Sequence, residues 1–182
     1  MKADIVFGGL HDGEYPGAFP PKVEKIILKL IGSDTPVLHL FSGSSEIGDV
    51  RVDTNPESKA THTANVFDFL KFPVAKREWK WVIGDPDYCD EQSKRLGRKG
   101  QFNSGKVFAD WRDERKLSAF MDSYARNIIW LDRRMPGFSQ NFERKKVWLI
   151  FQGGWRNVRV LQWLSKTMLP LSDYDQLKEP RP

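Results

Sequence analysis

Thiol and imidazole chemistry is scarce in this sequence. Cys89 is the single cysteine among 182 residues, so no internal disulfide can form, and with only His11, His39 and His62 beside it the chain offers a poor ligand set for zinc. No apolar run approaches the ~18 consecutive residues of a membrane span. The opening Met1-Lys2-Ala3-Asp4-Ile5-Val6 lacks the long apolar region and small-residue cleavage site of a secretory signal. The expectation is therefore a cytoplasmic protein, with no membrane or metal partner and an oligomeric state that the sequence leaves open. Repeats and low-complexity tracts are missing too. What remains, 40% hydrophobic and 29% charged residues, is the composition of a globular domain large enough to bury a core.

Excess charge is also absent, except in one place. The net charge is +5, and between Lys94 and Lys116 eight basic residues (Lys94, Arg95, Arg98, Lys99, Lys106, Arg112, Arg115, Lys116) face three acids, which accounts for all of it. A localised positive segment suits a polyanionic partner, although a solvated loop and helix face carries such charges as well.

Pro21 suits the first turn of a helix, and Val23, Ile26, Ile27, Leu30 and Ile31 follow at helical spacing until Gly32 ends it. Before it, Gly13 to Pro21 reads as irregular or extended. Val37–Phe41 and Val50–Asp53 read as short strands, Thr61–Val66 as a weaker third, Trp79–Gly84 as a fourth and Ile128–Leu131 as a fifth. Asp113 to Arg126 carries Leu117, Phe120, Met121 and Tyr124 on one helical face, and Pro136 to Arg144 reads as a short helix. Lys146–Phe151 and Asn157–Leu164, joined through Gln152-Gly153-Gly154-Trp155, form a hairpin signal. Cys89 to about Val107 is polar and glycine-containing, as a mobile loop would be. The domain is expected to occupy 1–170, with 1–36 an N-terminal segment and helix and 171–182 a loose tail. Ser42 to Gly48 is too short for a helical crossover between the first two strands, so a tight loop is expected there. Tryptophans inside strands read as core; Trp111 and Phe108, interleaved with the basic loop, are the candidate base-stacking exceptions.

Three segments carry chemistry. Val37-Leu38-His39-Leu40-Phe41-Ser42-Gly43-Ser44-Ser45 ends an apolar strand in small residues, which lets a ligand approach backbone. Gly43 serves equally as a plain turn glycine. Arg51-Val52-Asp53-Thr54-Asn55-Pro56 ends a strand in an acid that can accept two ribose hydroxyls, or else form an Asx turn. Asp85-Pro86-Asp87-Tyr88 closes the fourth strand. In this order the segments resemble class I, Rossmann-like, S-adenosylmethionine-dependent methyltransferases, and the third is similar to the Asp-Pro-Pro-Tyr motif of the amino-methylating DNA enzymes. Asp87 stands where that family has a second proline, and His39 where it commonly has an acid.

The resemblance implies a three-layer α/β sheet of about seven strands ending in an antiparallel hairpin, with S-adenosyl-L-methionine as cofactor. It implies a cofactor site on Phe41, Ser42, Gly43 and Ser44, with Asp53 on the ribose, Asn65 and Val66 at the adenine, and Phe19, in the Tyr15–Pro20 segment, over the methionine part. Asp85 and the Pro86 carbonyl would accept the two N–H bonds of an exocyclic base amine while Tyr88 stacks on the flipped base. Lys94, Arg95, Arg98, Lys99, Lys106 and Trp111 would meet the nucleic acid, DNA before RNA. Adenine N6 is the first expectation and cytosine N4 the second. A small-molecule or protein N-methyltransferase, and a lapsed module that only binds cofactor or nucleic acid, are the alternatives.

Overall fold

The computed structural model describes residues 3–7, 19–86, 111–132, 137–151 and 158–167. Its elements are β1 (Ala3–Phe7), α1 (Pro21–Ile31), β2 (Val37–Leu40), β3 (Val50–Asp53), β4 (His62–Thr63), α2 (Val66–Phe69), β5 (Trp79–Gly84), α3 (Trp111–Tyr124), β6 (Ala125–Asp132), β7 (Phe142–Phe151) and β8 (Val158–Lys166). The eight strands form one sheet in the order β1-β7-β8-β6-β5-β2-β3-β4. Every neighbouring pair is parallel except the two that involve β8, which opposes both β6 and β7.

The inner strands are apolar on both sides because helices cover both sheet faces. On one face Val23, Ile27 and Ile31 of α1 pack with Val37, Trp81, Ile83, Ile129, Leu131 and Ile150. On the other, Val66 and Phe69 of α2 and Leu117, Phe120 and Met121 of α3 cover Leu38, Leu40, Val52, Val82, Ile128 and Trp130. Burying each such side chain stabilises by roughly 1.5–3 kcal/mol. Helix α1 starts at Pro21 and stops at Gly32, whose N–H bonds the Leu28 carbonyl at 2.9 Å with φ at 58°, a conformation glycine adopts without strain.

Among the described residues the sheet has eight strands where about seven were expected: β1 is an additional edge strand, parallel to β7, and its exposed Ile5 and Phe7 give it no core periodicity to read. Two expectations need correction. The weak third strand shrinks to His62–Thr63, because the Asn65 side chain accepts from the Phe67 N–H at 2.9 Å and opens α2, which takes Val66 out of the strand. No helix spans the described part of 136–144. The Asp122 carboxylate there takes bonds from Ser139 Oγ and Asn141 Nδ2, at 2.9 and 2.8 Å, and β7 already begins at Phe142.

The short connection between β2 and β3 is a loop without a helix. It turns back along β2: the Asp49 N–H reaches the Val37 carbonyl at 2.9 Å, and the Asp49 carboxylate takes the Val37 N–H at 2.7 Å. Gly48, at φ 107°, lies where a Cβ would come within 3.3 Å of both His39 Cβ and the Val37 carbonyl oxygen. A returning backbone thus occupies the face of β2 where a crossover helix would otherwise pack.

Candidate active site

β2 is the strand from which the order reverses, since it pairs with β3 on one side and β5 on the other. In open α/β sheets the crevice beyond the carboxyl ends at such a point is where ligands bind. The register sets Leu40 against both Val52 and Gly84, and Gly84 against Trp130. Phe41, Asp53 and Asp85, each one residue further on, therefore come to one stretch of the sheet edge.

The glycine loop is fastened to the end of β3. Ser42 N–H bonds the Val52 carbonyl at 3.0 Å, Gly43 N–H donates to Asp53 Oδ2 at 2.8 Å, and Lys59 N–H bonds the Gly43 carbonyl at 3.2 Å. Asp53 Oδ1 accepts the Asn55 N–H at 2.9 Å, so the Asx turn is formed. An ionised carboxylate has about four acceptor sites, and two remain here for ligand hydroxyls. Phe41 holds φ at 59°, which costs a bulky residue of order 1 kcal/mol. Ser44 is half-buried, while Ser42 Oγ is buried and, among the described residues, lacks a hydrogen-bond partner. A buried hydroxyl with spare capacity beneath such a loop fits a polar ligand.

His39 stands beneath this loop, wholly buried. Its Nδ1 pairs with the Ile47 carbonyl at 3.0 Å, and Phe19 stacks on its ring at 5.3 Å with planes 7° apart. Burial, with a smaller contribution from the Arg51 charge and against the favourable Ile47 carbonyl, lowers its pKa to about 4, so the ring is neutral. His39 is thus a strut for the returning loop, and the ring of Phe19 is committed to it. Asn65 is exposed at the start of α2, and the side chain of Val66 belongs to the core.

Asp85 is held differently. Arg159, the second residue of β8, reaches past β6 to it: Nη2 donates to Oδ1, Nη1 lies 3.4 Å from Oδ2, and Nη2 also lies 3.4 Å from the Leu131 carbonyl. The Arg159 and Asp85 side chains are 16% and 10% exposed. Burial lowers the Arg159 pKa to about 10, which leaves it charged at neutral pH. At the end of β5, a Cβ on Gly84 would fall 1.9 Å from the Trp130 ring, so glycine is required for the indole to fit. Trp130 meets Phe41 and Phe138 edge-on, at 6.2 and 5.5 Å, and Pro86 is buried beside Asp85.

Tyr88, Lys94, Arg95, Arg98, Lys99, Lys106 and Phe108 lie outside the described residues, as do the loop from Cys89 to Val107, the hairpin turn at 152–155 and the tail 171–182; Trp111 opens α3 with its side chain outside them as well. Sequence reading missed Arg159. Its signal was a lone cation in an apolar strand, which a folded chain rarely buries without an acid to meet it. Among the described residues no three His, Cys, Asp or Glu side chains gather as a metal site would need, and no helix is long and apolar enough to cross a membrane.

No protein-family model and no curated protein sequence matches the chain. Solved structures do. yhhF from Escherichia coli, described as a methyltransferase, aligns with a TM-score of 0.51 at 11% identity over 85% of this chain and 91% of that one. The fold is the Rossmann-like methyltransferase fold. Magnesium protoporphyrin IX methyltransferase from Synechocystis PCC 6803, solved with bound SAM, aligns with a TM-score of 0.47 at 8% identity over 80% of this chain and 78% of that one.

Proposed function

We propose that the chain is an S-adenosylmethionine-dependent methyltransferase acting on an exocyclic amino nitrogen of a nucleic-acid base, adenine N6 before cytosine N4 and DNA before RNA. The observation that carries this reading is the meeting of the Phe41–Ser44 loop, Asp53 and Asp85-Pro86 at one sheet edge, beside the strand where the order reverses. The loop and Asp53 would hold the cofactor, with exposed Asn65 and the Val66 backbone toward its adenine and Phe19, stacked on His39, toward its methionine part. The cofactor's sulfonium supplies an electrophilic methyl group. What the protein must add is alignment. Asp85 and the Pro86 carbonyl accept the amine N–H bonds, Tyr88 stacks on the base, and Lys94, Arg95, Arg98, Lys99, Lys106 and Trp111 meet the polyanion.

Transfer of labelled methyl to DNA, RNA and protein substrates tests the reading. Incorporation into DNA or RNA that Asp85→Ala abolishes while cofactor affinity stays nearly intact supports it. Incorporation only into protein or a small amine overturns the substrate, and cofactor binding without any transfer leaves a binding module. The pairing of Asp85 with Arg159 gives that last reading its physical basis, because a substrate amine must share an acceptor that is already engaged.

A further inference from the structure

We propose that Arg159 is the positioning residue of this site: its guanidinium fixes the plane of the Asp85 carboxylate so that the acceptor sites left over face a substrate N–H. The inference rests on the amino-methylating reading of Asp85-Pro86. Asp85 follows β5 by one residue and itself stands outside any helix or strand, so its backbone alone does not orient the carboxylate. Two features do. The Trp130 indole seats the backbone at Gly84 from below, and Arg159, on a strand separated from β5 by β6, grips the carboxylate from the side with both terminal nitrogens.

Stability alone does not ask for such a pair. Well-packed apolar side chains of similar volume are often as stabilising as a buried ion pair, or more so. A two-pronged cation supplies what apolar packing cannot, a fixed carboxylate plane. Of the roughly four acceptor sites on the carboxylate the fork takes one per oxygen, which leaves one per oxygen for the amine. Holding the acceptor in advance removes the need to order it in each catalytic cycle, and misplacement of about 1 Å at such a group can cost about a hundredfold in rate.

The test compares the full-length wild type with Arg159→Lys and Arg159→Met. It measures labelled-methyl transfer to an adenine-containing oligonucleotide, calorimetric affinities for S-adenosylmethionine and for the oligonucleotide, and the folded fraction by circular dichroism. Arg159→Met should lower kcat at least tenfold per folded molecule, with both affinities within about twofold of wild type. Arg159→Lys, which keeps the charge but not the fork, should fall between. A purely structural role would lower the folded fraction and leave kcat per folded molecule unchanged, and that result overturns the proposal. If Arg159→Met does not fold, Arg159→Lys decides: an unchanged kcat overturns the assignment, and a several-fold loss at constant affinities supports it. A wild type that transfers methyl to no nucleic acid removes the reading of the site, and the role of Arg159 with it. Wild-type transfer with unaltered variants removes Arg159 alone.

Discussion

Asp53 ends β3 and Asp85 follows β5, the two strands beside β2, yet the chain secures them by opposite means. Asp53 accepts main-chain N–H bonds from Gly43 and Asn55, both in loops and both neutral donors. Asp85 faces a buried guanidinium delivered by a strand that lies beyond β6. Bonds from main-chain N–H groups to a carboxylate contribute about 1.5–3 kcal/mol each, and they leave acceptor sites open to ligand hydroxyls. A buried ion pair adds little net stability, but losing one partner strands a charge. The loop side of the edge is thus built to be shared, and the Asp85 side to stay in place.

The largest test of that contrast is removal of Arg159. In Arg159→Met the Asp85 carboxylate is left buried and unpaired, and the loss should be about 3–5 kcal/mol by urea unfolding at neutral pH. Adding Asp85→Asn to that variant removes the stranded charge and should recover a good part of it. A loss below about 1 kcal/mol would mean that water reaches Asp85 freely and that the two carboxylates differ less than their partners suggest.

The loop side has a buried ionisable group of its own, and it should respond to pH. His39 is neutral in the folded chain, with its pKa lowered to about 4 from the ordinary 6.5, chiefly by burial. Between those values the unfolded chain binds a proton that the folded chain refuses, so stability rises with pH across this window. The contribution is complete above about pH 6.5, declines as pH falls toward 4 and is then exhausted. At 1.36 kcal/mol per unit the ceiling is about 3 kcal/mol. The unfolding free energy of wild type minus that of His39→Leu should fall by up to about 3 kcal/mol between pH 7 and pH 4, with pH 5.5 in between. Parallel curves would show that His39 does not titrate in this window.

The fold was legible wherever periodicity and punctuation coincide. Pro21, the apolar series from Val23 to Ile31 and Gly32 define α1 to the residue, and the doubly buried strands show as apolar runs. The elements that escaped have weak local signals. β1 presents exposed Ile5 and Phe7 at the sheet edge, and β4 is only two residues long. The stretch before β7 is organised by Asp122, a residue distant in sequence, and no local pattern reveals that. The same divide runs through the site. The loop, Asp53 and Asp85 could be found because short motifs announce strand ends. Arg159 could not be assigned a role, since its meaning depends on β8 lying next to β6, two places from β5. His39 was visible as a departure from a familiar pattern, but its reason, the Ile47 carbonyl of a returning loop, is tertiary.

The smallest effect, and the one that most sharpens the comparison, comes from Asp53. Asp53→Ala removes two N–H bonds to a carboxylate in loops, where water can partly replace them, so stability should fall by about 2 kcal/mol. Affinity for S-adenosylmethionine should fall as well, by about 1–3 kcal/mol in calorimetry, if the remaining acceptor sites receive the ribose hydroxyls. Asp53→Asn separates the two roles. Its amide oxygen can serve one of the two loop N–H groups, but its NH2 then faces the other, so the variant should lose one loop bond and keep part of the cofactor affinity. An Asp53→Ala protein that binds cofactor as tightly as wild type would make Asp53 a loop fastener only. The carboxylate with spare acceptor sites would then have no ligand to meet, and the cofactor would have to be held by the loop amides and Ser42.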